Sequence, residues 1–78
     1  MDKRVFTGSM VTLLREDGRN FRFRLVPPID ANINQGKLSV ASPMGKALLG
    51  RRQGEEFSFD APGGQVRMKV LEIEPGAR

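Results

Sequence analysis

Two short segments near the start of the chain have the pattern of strands, and apolar and basic residues alternate along the second. Residues 11–15 and residues 20–26 are predicted to form strands, and the sequence 16–19 between them is rich in turn formers. In the second segment one parity is apolar and the other basic: Phe21, Phe23 and Leu25 against Arg22 and Arg24. This alternation is typical of a strand buried on one face. We therefore predict a β-hairpin that ends at Pro27-Pro28, because proline cannot donate to a strand ladder.

Three more segments alternate in the same way, at residues 37–41, 57–61 and 65–74. Each is predicted to be a strand, and Pro62-Gly63-Gly64 is predicted to turn the chain between the last two. Residues 29–36, rich in Asn and ending in Gly, are predicted to form a surface loop.

The apolar parity changes within the last predicted strand. Its apolar residues fall into two sets of opposite parity: Val66, Met68 and Val70, then Leu71 and Ile73. A β-bulge near Val70, or a strand buried on both faces there, would explain the change.

A short helix is predicted from Pro43 to about Leu49. Ser42 can accept hydrogen bonds from the free amides of the first turn, and Pro43 suits the first helical position. Gly50 is a suitable stop, and the arginines that follow it, Arg51-Arg52, suit the negative end of the helix dipole. Two turns are too few to be stable alone, so the helix must depend on packing.

The order strand, strand, loop, strand, helix, strand, strand predicts an α+β fold, with an antiparallel sheet packed against one short helix. Seventy-eight residues are enough for one domain, 1–78. Its core is expected over about residues 5–74, and residues 75–78 are expected to be a frayed tail.

Composition removes several chemistries. The chain has no cysteine and no histidine, so it has no disulfide, no thiolate metal site and no histidine base. These features, with no signal-like or membrane-spanning run, predict a cytoplasmic protein with no membrane contact. No cofactor and no metal site are expected.

No catalytic residue is assigned. The acidic pairs Glu16-Asp17 and Glu55-Glu56 lie in predicted turns, where solvated acids are common. Glu72 and Glu74 share one strand face with no third ligand nearby in sequence. Ser42 with Lys46 has the spacing of a Ser-Lys pair, but the role of Ser42 as a helix cap is favoured.

A basic face is the main candidate for nucleic-acid binding. Arg22 and Arg24 point away from the apolar side of their strand, as Arg67 and Lys69 should on the last one. If the two strands are neighbours, the four cations form one patch, although a solvated surface is the favoured interpretation. The net charge of +4 permits nucleic-acid contact without requiring it.

The start of the helix allows two interpretations. Pro43-Met44 is an apolar step at an unusually explicit junction between loop and helix. It can be a knob for protein contact, or Met44 can simply be core, and spacing alone favours the core.

Here the sequence resembles a known family. The run from Gln35 to Gly50, QGKLSVASPMGKALLG, followed by Gln53-Gly54-Glu55, is similar to the C-terminal domain of the bacterial Gre factors, GreA and GreB. The 21–26 strand looks like the GreB branch, and residues 61–64 and 70–73 resemble the family's last hairpin. The likeness covers about residues 5–74 and implies an FKBP-like fold, related also to the Rnk regulators.

The resemblance implies a partner, RNA polymerase. In Gre factors this domain docks at the rim of the secondary channel, on a coiled coil of the β′ subunit. The implied docking residues are Ala41, Ser42, Pro43 and Met44, with Lys46, Asp30 and Asn32 as weaker candidates. Ala41 stands where GreB-type sequences carry an acid, and Asn32 where many GreA-type sequences carry Asp.

The expected function is therefore a monomeric polymerase-binding module that regulates elongation and is not itself an enzyme. The N-terminal coiled coil that carries the family's cleavage chemistry is not in this sequence, so we expect either a stand-alone regulator or a piece of a longer factor. Two alternatives stay open: a peptidyl-prolyl isomerase, on the FKBP-like fold alone, and a basic RNA-binding module.

Overall fold

A computed structural model describes residues 3–76 and joins five strands into one sheet. In chain order the elements are β1 (Met10–Arg15), β2 (Asn20–Val26), β3 (Lys37–Ser39), α1 (Pro43–Leu48), β4 (Glu56–Ala61) and β5 (Gly64–Glu74). The strands lie in the order β3-β2-β1-β5-β4. The predicted α+β class and the predicted order of elements are confirmed.

The first hairpin forms as the alternation predicts. β1 and β2 are antiparallel, with Val11 opposite Phe23 and Leu13 opposite Phe21 on the apolar face. Gly18 has φ 92°, a left-handed conformation that favours glycine in a tight turn. Phe21 and Phe23 stack on this face with ring centroids 6.1 Å apart.

The sheet is mixed, which corrects the wholly antiparallel sheet predicted from the pattern. β3 runs parallel to β2, with Arg24 opposite Lys37 and Val26 opposite Ser39. A parallel pair needs a crossover connection, and residues 27–36 supply it as two 3-10 turns at Pro28–Asp30 and Ile33–Gln35. The predicted surface loop is exposed, but it is more ordered than its composition suggested.

A bulge explains the change of parity in β5. Along β1, Thr12 pairs with Glu72 and Leu13 pairs with Val70, so Leu71 has no partner residue opposite it. The extra residue returns Ile73 to the buried face that Val70 already occupies. Of the two explanations, the bulge is the correct one.

The core lies between the apolar face of the sheet and α1. Leu48 is fully buried, while Met44 and Ala47 are partly buried against the same cluster. The helix packs mainly on β4, which lies at one edge of the sheet. The other buried members come from the strands and the N-terminal segment: Val5, Val11, Leu13, Leu25, Leu38, Phe57, Met68, Val70 and Ile73.

The segment before β1 is part of the fold, although its sequence shows no periodicity. Val5 is fully buried, donates its amide to the carbonyl of Arg51 at 2.9 Å and accepts from the amide of Gly50 at 2.8 Å. Of the predicted tail, Pro75 and Gly76 are described, and Gly76 lies against Gly8. Ala77 and Arg78 are outside the described residues. Among residues 3–76 no helix is long and apolar enough to cross a membrane.

Candidate functional site

A dense set of hydrogen bonds holds the junction between β3 and α1. The Ser42 hydroxyl donates to the carbonyl of Ser39 at 2.6 Å and accepts from the amide of Gly45 at 3.0 Å. The amide of Ala41 donates to the hydroxyl of Ser39 at 3.0 Å. Ser42 is thus the helix cap that the sequence predicts, and its own proton is used as well.

Gly45 lets the first turn of α1 approach the end of β3. It is buried, and a Cβ at this position would overlap the carbonyl oxygen of Ser39 and crowd Val40. The close approach fixes where residues 41–44 stand relative to the sheet. The sequence gives no direct sign of this role, since a glycine inside a short helix is otherwise only a weak helix former.

We call residues 41–44 the Pro43 corner. Ala41 and Pro43 are exposed, whereas Ser42 and Met44 are half-buried. Met44 packs against the core, in agreement with the favoured interpretation of its spacing. Pro43 is exposed to solvent. The corner therefore presents an apolar surface on a backbone that is held in place by the hydrogen bonds of Ser39 and Ser42.

A shallow groove runs from the Pro43 corner to the edge strand β4. Its lining combines the corner and the helix with three consecutive residues of β4: Ala41, Pro43, Lys46 and Ala47 with Ser58, Phe59 and Asp60. Lys46, a weaker candidate from the resemblance, thus shares the groove with Pro43. The three β4 residues were missed, because only the packing of α1 on β4 brings them to the corner.

The other two weaker candidates lie farther along the crossover connection. Asp30 ends the first 3-10 turn after β2, and Val26 at the end of β2 pairs with Ser39. Asp30 and the Pro43 corner therefore both follow the same end of the β2–β3 pair. Asn32 is at its other end, where its amide and carbonyl pair with Lys37, each at 3.0 Å. Both side chains are exposed.

The four cations of the predicted basic face do not meet the condition set for one patch. β1 separates β2 from β5, so the strands that carry them are not neighbours. Arg22 lies 3.4 Å from the carboxylate of Glu74, and Arg24 donates to the carbonyl of Gly8 at 2.9 Å. Lys69 is directly opposite Glu56. Acidic residues thus interrupt this face.

The acidic pairs lie at separate places in the fold, and Glu55 and Asp17 each bond to neighbouring residues. Glu55 caps a turn by accepting from the amide of Arg52 at 2.6 Å. Asp17 bonds Arg15 at 2.6 Å and the amide of Arg19 at 3.1 Å, and these bonds, the first above all, lower its pKa to about 2. Within residues 3–76 no three His, Cys, Asp or Glu side chains form a group suited to a metal ion.

Sequence comparison finds the family. Residues 1–75 match the model of the family described as "Transcription elongation factor, GreA/GreB, C-term". GreA of Syntrophobacter fumaroxidans is 41% identical over 69 residues, which are 88% of this chain and 44% of that protein. GreB of Pseudomonas aeruginosa is 37% identical over 71 residues, covering 91% of this chain and 42% of the relative. The chain thus spans less than half the length of these relatives.

Solved structures of similar proteins have the same fold as this chain. Gfh1 of Thermus aquaticus superposes with a TM-score of 0.84 at 38% identity, over 95% of this chain and 50% of that one. The GreA homologue Gfh1 of Thermus thermophilus gives 0.81 at 38% identity, over 94% and 49%. The fold is therefore the FKBP-like α+β fold that the resemblance implied. This chain belongs to the GreA/GreB transcription elongation factor family and corresponds to its C-terminal domain.

Proposed function

We propose that this chain is a docking module that binds RNA polymerase through the Pro43 corner, at the secondary-channel rim formed by the β′ coiled coil, and regulates elongation without cleaving transcripts itself. Two kinds of support meet here. The family's members are named transcription elongation factors, and the chain matches their C-terminal domain over nearly its whole length. The observation that carries the proposal is an exposed Pro43 on a fixed backbone.

The structure of the corner suits binding at low entropic cost. Ser39, Ser42 and Gly45 hold the backbone in place before any partner arrives, so little order has to be imposed on binding. Pro43 has no side-chain rotamers of consequence to lose, and Ala47 and Phe59 extend the apolar surface into the groove. Ala41 is exposed and uncharged at the position where GreB-type sequences carry an acid.

Replacing Pro43 with Asp tests this proposal. A carboxylate at the centre of an apolar contact must lose its hydration without a partner, so the affinity for core RNA polymerase is expected to fall by about tenfold or more. The measurement is a titration of fluorescently labelled chain with core enzyme, followed by anisotropy. Pro43 is exposed at the first helical turn, where Asp is favoured, so the variant should unfold at the urea concentration of the wild type.

Pro75→Asp is the matched control. It makes the same change of charge at another exposed proline, one that lines a different groove with Phe6 and Ser9. We expect it to bind as the wild type does. Equal affinity of the two variants would refute the Pro43 corner as the contact, and a wild-type chain that shows no binding would refute polymerase docking altogether.

A further inference from the structure

A second groove, which adjoins the first along α1, is rich in basic residues. Four of its residues are basic and one is acidic: Arg4, Lys46, Arg51 and Arg52, with Glu55. We call these four the basic cluster. It surrounds the C-terminal end of α1, where the last helical carbonyls add negative potential. That potential helps to hold the cations together but neutralises only part of their charge.

The cluster is built from two separate parts of the chain. Arg4 of the N-terminal segment forms a β-bridge with Arg52, and its guanidinium lies 3.4 Å from the carbonyl of Gly50. Arg51 donates to the carbonyl of Ala47 at 2.8 Å, and its guanidinium lies 5.8 Å from the ring centroid of Phe57. Two arginines are therefore positioned by the fold, and Lys46 is exposed beside them.

The basic cluster is continuous with the groove of the Pro43 corner. Lys46 and Ala47 line both, so a partner seated on the corner reaches the cluster by crossing one turn of helix. The combined surface has an apolar part around Pro43 and Phe59 and a cationic part beyond Lys46. An apolar centre with a charged border rich in arginine is typical of a protein–protein interface.

Nucleic acid fits this surface less well. Binding of single strands usually places exposed aromatic rings among the cations so that bases can stack. Phe57, the ring beside Arg51, is buried, and Phe59, in the groove that shares Lys46, is half-buried. Phe6 is 61% exposed but lines a separate groove with Ser9 and Ile73.

We propose that the basic cluster binds an acidic segment of the protein that docks on the Pro43 corner, so that carboxylates of the partner face Arg4, Lys46 and Arg51. The inference rests on the proposed polymerase docking and adds the chemistry of the partner at its border. Exposed charges of this kind steer association and set its salt dependence more than they deepen the final affinity.

The test replaces Arg4 and Lys46 together by Gln and measures binding to core RNA polymerase from low to high salt. Arg67→Gln with Lys69→Gln is the matched control, since it removes the same two charges from β5. At about 50 mM salt we expect the cluster variant to bind roughly fivefold more weakly than wild type, and at about 500 mM the two should differ by less than about twofold. The control pair should follow the wild type at every salt concentration.

Each other outcome has a defined meaning. If the wild type binds and the cluster variant matches it at low salt, or if both double variants weaken equally, the acidic-segment inference is wrong while polymerase docking stands. If the wild type does not bind, both proposals fall. Should the cluster variant lose affinity only for single-stranded RNA, measured in parallel with a uridine oligonucleotide, the cluster belongs to nucleic acid and the inference is overturned.

Discussion

The carbonyl of Ser39 leaves no room for a side chain at position 45. Alanine is the better helix former by about 1 kcal/mol, so propensity alone predicts that Gly45→Ala stabilises the protein. The structure predicts the opposite, because the methyl group would overlap backbone atoms, which cannot rotate away. We expect a loss of about 2 kcal/mol or more in the free energy of unfolding, measured in urea.

Gly63→Ala separates this effect from that of glycine replacement in general. A Cβ at Gly63 meets nothing within 4 Å, and its backbone is not left-handed. Its free energy of unfolding should stay within about 1 kcal/mol of wild type. If Gly45→Ala proved as stable as Gly63→Ala, the close contact between α1 and β3 would be wrong.

At the scale of elements, the turn between β1 and β2 has a measurable electrostatic signature. The pKa of Asp17 is lowered from 3.8 to about 2, mainly by its bond to Arg15 and next by the amide of Arg19. A carboxyl group whose pKa is lower in the folded state stabilises the fold above its unfolded pKa, and this contribution disappears as pH falls through the folded value. The contribution of Asp17 should therefore vanish between about pH 4 and pH 2.

An NMR titration of the Asp17 carboxyl carbon measures this directly. We expect a midpoint near 2 in the wild type and a clearly higher one in Arg15→Gln, which removes the hydrogen bond that lowers the pKa most while leaving the bond from the Arg19 amide. A wild-type midpoint close to 3.8 would show that the bond between Arg15 and Asp17 does not persist in solution.

Elements that depend on local chemistry were predictable. The hairpin β1–β2, the Ser42 cap with Pro43 after it and the change of parity in β5 each follow from residues next to one another in sequence. Contacts between segments that are distant in sequence were not predictable. The parallel pairing of β3, the backbone hydrogen bond from Val5 to Arg51 and the approach of α1 to Ser58–Asp60 have no local pattern to reveal them.

The same limit applies to the candidate site at the scale of the whole molecule. Its centre, residues 41–44, came from a resemblance in sequence, and two of these residues, Ala41 and Pro43, are exposed in the structure. Its extent came only from the fold, which adds the β4 edge on one side and the basic cluster on the other. The candidate cationic face of Arg22, Arg24, Arg67 and Lys69 is divided in the structure, because β1 lies between the two strands that carry these residues.

The absence of cysteine from the sequence allows a direct measurement of which surface meets the polymerase. Ala41→Cys and Lys69→Cys each place one thiol on an exposed position, at the Pro43 corner and on β5 respectively. Both are coupled to the same short photoreactive group, bound to core RNA polymerase and irradiated. The account predicts an adduct with β′ from position 41 and little from position 69. Adduct from position 69 with none from position 41 would contradict it.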